Sequence, residues 1–368
     1  MQNIKKLLYL LSSYERRRAI LLLAMILFMA LLDMLGVASI MPFIAVLTNP
    51  GLVESNAILN TAYETSSIFG VETNQQFLFV LGIFVFILLI ISLAFKALTN
   101  YAQVRFTRMR EYSIGKRLLE GYLHQPYSWF LNRHSAELGK TILSDVSLVI
   151  SKGFAPMMNL ITQCAVALAL LTLLIFVDLK LTLIVIITFS LAYGLIYKLN
   201  KNLMTRIGKE IFKANQGRFG ALTEAFGASK EVKVGGLEET YIKRFSDPSK
   251  TLAQTIALEA LVNQLPRFTL EAVAFGGMLL VLLYLIAQGG DISNVIPIIA
   301  LYAFAGYRLM PAVQHIYISL TQLRIVGPAL ESIHNDLKNL QLKTIDKGEN
   351  PLQFLHQNQV VLPPYPQN

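Results

Sequence analysis

The sequence predicts an all-α membrane protein of six transmembrane helices, with long helical extensions on the cytoplasmic side. Three observations predict it. Hydrophobic residues make up 54% of the 368 positions and charged ones only 15%, with a mean hydropathy of +0.52, which sets the chain apart from water-soluble domains. Six apolar stretches approach or exceed the ~20 helical residues that cross a hydrocarbon core. The basic residues gather on one side of the alternation those stretches impose, as the positive-inside rule requires.

The first stretch runs from Ala19 to Leu47 and is preceded by Arg16, Arg17 and Arg18. It carries no small-residue cleavage pattern, so it reads as a retained span and not a signal peptide. The others are Phe77 to Leu98, Phe154 to Val177, Leu181 to Leu199, Thr269 to Ala287 and Val295 to Met310. Pro42 and Pro311 are expected near helix ends or kinks, where lost backbone bonds are tolerable. Lys and Arg number 5 before the first span, 9 from Lys96 to Lys152, 12 from Lys198 to Arg267 and 5 from Arg308 onward. Only Lys180, in the turn between spans three and four, falls on the other side. Both termini and both long basic loops are therefore expected in the cytoplasm.

Those loops do not read as linkers. Asn100 to Gly121 and Lys201 to Ala225 keep helical composition, and the return segments Ser135 to Lys152 and Thr251 to Gln264 do too. The pattern predicts two helical hairpins, one tipped by His124 to Leu138 and the other by Glu224 to Glu238. Each tip mixes aromatics expected to be exposed (Tyr127, Trp129 and Phe130; Tyr241 and Phe245) with charges, a composition suited to docking a partner; packing of the helices against each other is the alternative. Channels and secondary transporters seldom carry so much chain at these two places. A nucleic-acid partner is excluded by the dispersion of the basic residues. The single Cys164, inside an apolar run, rules out an internal disulfide framework and any multi-cysteine metal site.

The arrangement resembles the transmembrane domain of ABC exporters of the type I fold, over roughly residues 1 to 340. The His124 to Leu138 tip resembles that family's first coupling helix, with Pro126, Tyr127, Trp129 and Phe130, a later Glu137-Leu138 and then Asp145. The Glu224 to Glu238 tip is similar to the family's other coupling helix, with Glu224, the run Lys230, Glu231, Val232, Lys233, then Glu238 and Phe245. Within the family, Phe95 to Asn100, Leu265 to Glu271 and Tyr307 to Pro311 are similar to bacterial lipid-linked oligosaccharide flippases. The resemblance implies a homodimer in the bacterial inner membrane, nucleotide-binding domains on the coupling helices, and ATP driving a lipid-anchored glycan outward. In such flippases an external helix meets the lipid tail, which makes a short helix around Ile58 to Ile68 the candidate for that contact.

The residues of those stretches point the same way by themselves, because a charge inside a span costs a few kcal/mol unless it snorkels, pairs or faces water. Lys96 ends the second span, Arg267 opens the fifth, and Arg308 lies well inside the sixth. His315 follows Arg308 by two helical turns and shares its face. Together they are expected to form a basic collar suited to a diphosphate. Snorkelling to phospholipid headgroups is the alternative for Lys96 and Arg267. Asp33, the acid in the middle of the first span, is expected to pair with one of these cations and fix the packing, with proton coupling as the alternative.

No stretch fits the phosphate-binding loop G-x-x-x-x-G-K-[ST] that ATP hydrolysis by this family needs. Residues 341 to 368 read as a polar tail where a nucleotide-binding domain would begin. ATP and Mg are therefore expected to act through a separate or lost domain, with no cofactor in this chain. Two other readings stay open: an exporter of peptide or hydrophobic drug, and a truncated, non-transporting remnant.

Overall fold

In the computed structural model the described residues are 2–49, 51, 53, 57–67, 73–131, 133, 135–287 and 292–346, and among them every regular element is helical. A short amphipathic helix, α1 (Gln2–Leu10), precedes α2 (Ser13–Ala38). Ser12 and Glu15 cap α2 reciprocally: the Ser12 N–H donates to Glu15 Oε2 at 2.8 Å, and the Glu15 N–H to Ser12 Oγ at 3.4 Å. The predicted first span is not one helix. It breaks at Ser39, whose hydroxyl donates back to the Gly36 carbonyl at 2.9 Å, and resumes as α3 (Ile40–Thr48). Pro42 lies in the first turn of α3, where no intrahelical N–H bond is forfeited.

The helix α4 (Ala57–Ser67) covers the site predicted for a short external helix, and Tyr63 packs edge-on against Phe77 at 5.3 Å. Phe77 belongs to α5 (Asn74–Leu123), whose start is fixed by another reciprocal cap between Thr73 and Gln76. Then come the one-turn α6 (Tyr127–Phe130) and the return path. That path is α7 (Ser135–Lys140), a π-turn (Thr141–Asp145), α8 (Val146–Val149), a further π-turn (Ile150–Phe154) and α9 (Ala155–Val177).

One non-helical residue, Asp178, separates α9 from α10 (Leu179–Gly227). The second tip holds α11 (Ser229–Val234), and Gly236 turns the chain with φ 61°, a conformation that glycine adopts without strain. It leads into α12 (Glu238–Ala287), followed by α13 (Ile292–Ile325) and α14 (Gly327–Asp346). Pro311 lies inside α13 and does not end it, and helix continues to Asp346, past the predicted boundary at 340. The rest of the predicted tail, residues 347–368, lies outside the described residues.

The helices pack in two groups. In the first, α2 lies between α5 and α9, and α9 runs along α13. Met29 and Val37 of α2, Leu170 and Leu174 of α9, and Ala305 and Leu309 of α13 close this core. In the second, α10 runs along α12, with Met204, Ile207 and Leu252 buried between them. A third core gathers Leu7 and Leu10 of α1, Leu118 of α5, Phe154, and Leu330 and Ile333 of α14. The helical extensions are thus tied together beyond the apolar zone.

Among the described residues, three runs are long and apolar enough to cross a membrane: Tyr14–Thr48, Asn74–Leu123 and Glu137–Val177. The outer face of α5 leaves Phe79, Ile83, Phe86 and Ile90 exposed, as lipid contact requires. The other predicted spans lie in α10, α12 and α13, and many of their side chains, including 281–302, fall outside the described residues.

Candidate anion site and docking tips

The buried carboxylate of Asp33 draws three helices to one point. It lies in the second-to-last turn of α2, fully buried. Ser92 of α5 donates its hydroxyl to Oδ1 at 2.9 Å, and the Arg308 guanidinium of α13 pairs with the same oxygen. Lys96, one turn after Ser92 and so on the same face of α5, places its ammonium 3.5 Å from Oδ2. Phe28 of α2 meets Phe95 edge-on at 4.9 Å beside this cluster. The acid expected to pair with one cation therefore pairs with two. Its partners are unequally covered: the Arg308 side chain is 18% exposed, the Lys96 side chain 46%.

The predicted collar divides. Lys96 and Arg308 meet at Asp33, and His315 lies two turns beyond Arg308, exposed, where the Lys96 charge reaches it. Arg267 does not join them. Its Nε is 2.8 Å from Glu271 Oε1, one turn along α12, so local pairing satisfies it. Ser92 went unread in the sequence, although its spacing from Lys96 was the available signal. A groove of about 430 Å³ opens elsewhere, between residues 143–151 and α10, beside Ser144, Asn215 and Arg218, and holds none of the collar cations.

At the first tip only Tyr127 matches the expected exposure, at 77%. Trp129 and Phe130 are half-buried, and Trp129 stacks against Tyr122 at 5.4 Å with the Arg133 guanidinium 4.8 Å over its ring. Pro126 stands at the N-cap of α6 in an extended conformation and has no N–H to satisfy there. The tip is clamped to α14: the Tyr122 hydroxyl donates to Asp336 Oδ2 at 2.5 Å, and Arg133 lies 3.3 Å from Oδ1. Burial, reinforced by that bond and the Asp336 charge, pushes the Tyr122 phenol far up, so it remains a donor. Sequence reasoning missed Asp336, since nothing in its spacing marks a partner so far along the chain.

At the second tip the charges close on each other. Lys233 pairs with Glu238 at 2.9 Å, and Glu224 with Arg244 at 2.9 Å, while Lys230 and Glu231 stay exposed. The bond from Lys233 draws the Glu238 carboxyl below its usual range. Tyr241 and Phe245 are half-buried and not exposed as expected, because they lie on α12 where it meets α10. Behind the first tip, Lys140 lies 3.1 Å from Asp145 and 3.9 Å over the Phe212 ring, with both charges buried. Burial pushes the Asp145 carboxyl up, against the opposing pull of Lys140.

Long apolar helices, a charge cluster placed among them, and helical extensions closed by short tips define an integral membrane protein of helical-bundle class. Residues 19–307 match the family model of the ABC transporter transmembrane region, and the chain belongs to that family. It is a membrane-embedded transporter region, of a kind that works together with nucleotide-binding domains.

Proposed function

We propose that this chain is the membrane-spanning half of an exporter that moves a lipid-linked oligosaccharide, or a similar anionic amphipathic lipid, outward. The observation that carries the reading is the convergence of Lys96 and Arg308 on a single carboxylate, which leaves positive charge unmatched among apolar helices. A diphosphate-linked lipid meets both features, because its tail suits the apolar helix faces and its phosphates suit the cations. On this reading six spans cross the bacterial inner membrane, with both termini and both tips in the cytoplasm. Residues 1–340 form the transmembrane domain, and two copies enclose the cavity.

Nucleotide-binding domains dock on Pro126, Tyr127, Trp129 and Phe130 at the first tip and on Glu224, Lys230, Glu231, Lys233 and Glu238 at the second. They supply ATP hydrolysis with Mg. The exposure of Tyr127, Lys230 and Glu231 supports docking there, while the half-buried Trp129 and Phe130 support the tip from behind. Lys96, Arg308 and His315 face the cargo, and Arg267 lines the cavity at a separate point, its charge offset by Glu271.

Co-expression with a cognate nucleotide-binding domain in a flippase-deficient bacterium tests the reading. Restored glycan export is expected, with loss on Arg308→Ala while dimer assembly persists. Assembly without export argues against the cargo, and export insensitive to Arg308→Ala points to a peptide or a hydrophobic drug.

A further inference from the structure

We propose that Asp33 is an internal counter-anion that weakens the cluster's hold on a phosphate group, so that the cargo can be released as well as bound. This rests on the lipid-linked anion reading above. Asp33 occupies donors that a phosphate needs: Arg308 pairs with its Oδ1, and Lys96 faces its Oδ2 at 3.5 Å, too far for a strong hydrogen bond. The two cations and one carboxylate leave a surplus positive charge. In an apolar surround that surplus attracts an anion, and the half-exposed Lys96 ammonium is where an anion would first meet it.

To gain Arg308 the phosphate must then displace a carboxylate already buried and held by the Ser92 hydroxyl. A site in a transport path must load and also let go, and a built-in competitor achieves both. The other charges do not alter the comparison, since Arg267 is offset by Glu271 within its own helix and His315, which the Lys96 charge reaches, is the same in every variant.

The proposal is tested with the purified full chain in lipid nanodiscs, using farnesyl diphosphate as the probe. Wild type carries a net charge of one on Lys96, Arg308 and Asp33. Asp33→Asn adds a charge, Arg308→Gln removes one, and the double variant returns to the wild-type count. Asp33→Asn should bind the probe roughly tenfold tighter and Arg308→Gln roughly tenfold weaker, the order expected of one unit charge at close range in a partly wet site. In the double variant affinity should recover to within about threefold of wild type, although Arg308 is gone.

If Asp33 only fixes packing, Asp33→Asn binds no tighter and the double variant stays as weak as Arg308→Gln. Either result overturns the proposal and leaves the lipid-anion reading intact, because wild type still takes the probe. Binding by neither wild type nor Asp33→Asn overturns both. Should Asp33→Asn fail to fold, the double variant, whose buried pair is neutral on both sides, decides the matter against Arg308→Gln.

Discussion

Replacing Asp336 by alanine should release the first tip from α14, and the size of the effect can be worked from the contacts. Tyr122, 2% exposed, donates to Asp336 at 2.5 Å, and a bond to a charged acceptor contributes about 1.5–3 kcal/mol. The Arg133 contact at 3.3 Å is partly solvated, and adds only about 0.2–1 kcal/mol. Asp336→Ala also leaves the buried Tyr122 hydroxyl without this acceptor, so about 2–3 kcal/mol of local stability should go. Hydrogen exchange of residues 122–133 and 330–340 reads this directly. Local opening should rise roughly thirtyfold or more, while exchange in the middle of α12 stays unchanged. In a Tyr122→Phe background the same substitution should cost only about 1 kcal/mol, because just the Arg133 contact remains to be lost. Unchanged protection in either segment, or an equal cost in both backgrounds, would refute the clamp.

Gly208→Ala should separate α10 from the end of α13, because a new Cβ would lie 2.8 Å from Ile325 Cα and still closer to its carbonyl oxygen. A cost of about 1–3 kcal/mol is expected, seen as a lower thermal unfolding midpoint. Lys140→Met should cost about 3–5 kcal/mol by stranding buried Asp145, and Lys140→Met with Asp145→Leu should recover most of it; failure to recover would show that the pair itself is not the cause. Glu238 has its carboxyl pKa lowered by Lys233, so its contribution is present above the ordinary glutamate range, near pH 4.3, and lost as pH falls through the lowered value. Exchange of residues 229–240 should therefore hold steady from pH 8 to 5, after correction for intrinsic rates, and rise only as the pH falls below the ordinary glutamate range.

The helices were legible because their signals are local. Apolar runs and the few breakers between Asn100 and Gly121 and between Lys201 and Ala225 each act within a few residues, and α2, α5 and α10 follow from them. The break at Ser39 was legible only in part: Pro42 is expected near a helix end or kink and α2 does end four residues before it, but nothing local marks Ser39 as the residue that leaves the helix. Aromatic exposure at the tips failed for a related reason: burial of Trp129 depends on Tyr122 and on α14, more than 200 positions further along the chain.

The charge cluster shows where sequence reasoning stops. A cation in a span is expensive wherever it sits, and this alone singles out Lys96 and Arg308; the expense says nothing of how it is met. Asp33 and Arg308 are 275 positions apart, and their meeting depends on α2 and α13 packing in one register. Arg267 carries the same charge and the same sequence signal, yet Glu271 one turn away meets its need, so it has no reason to reach the cluster. Equal charges thus differ in role according to the nearest acid. An arginine paired within its own helix leaves the packing between helices unconstrained, whereas one paired across helices joins their positions to the occupancy of the site.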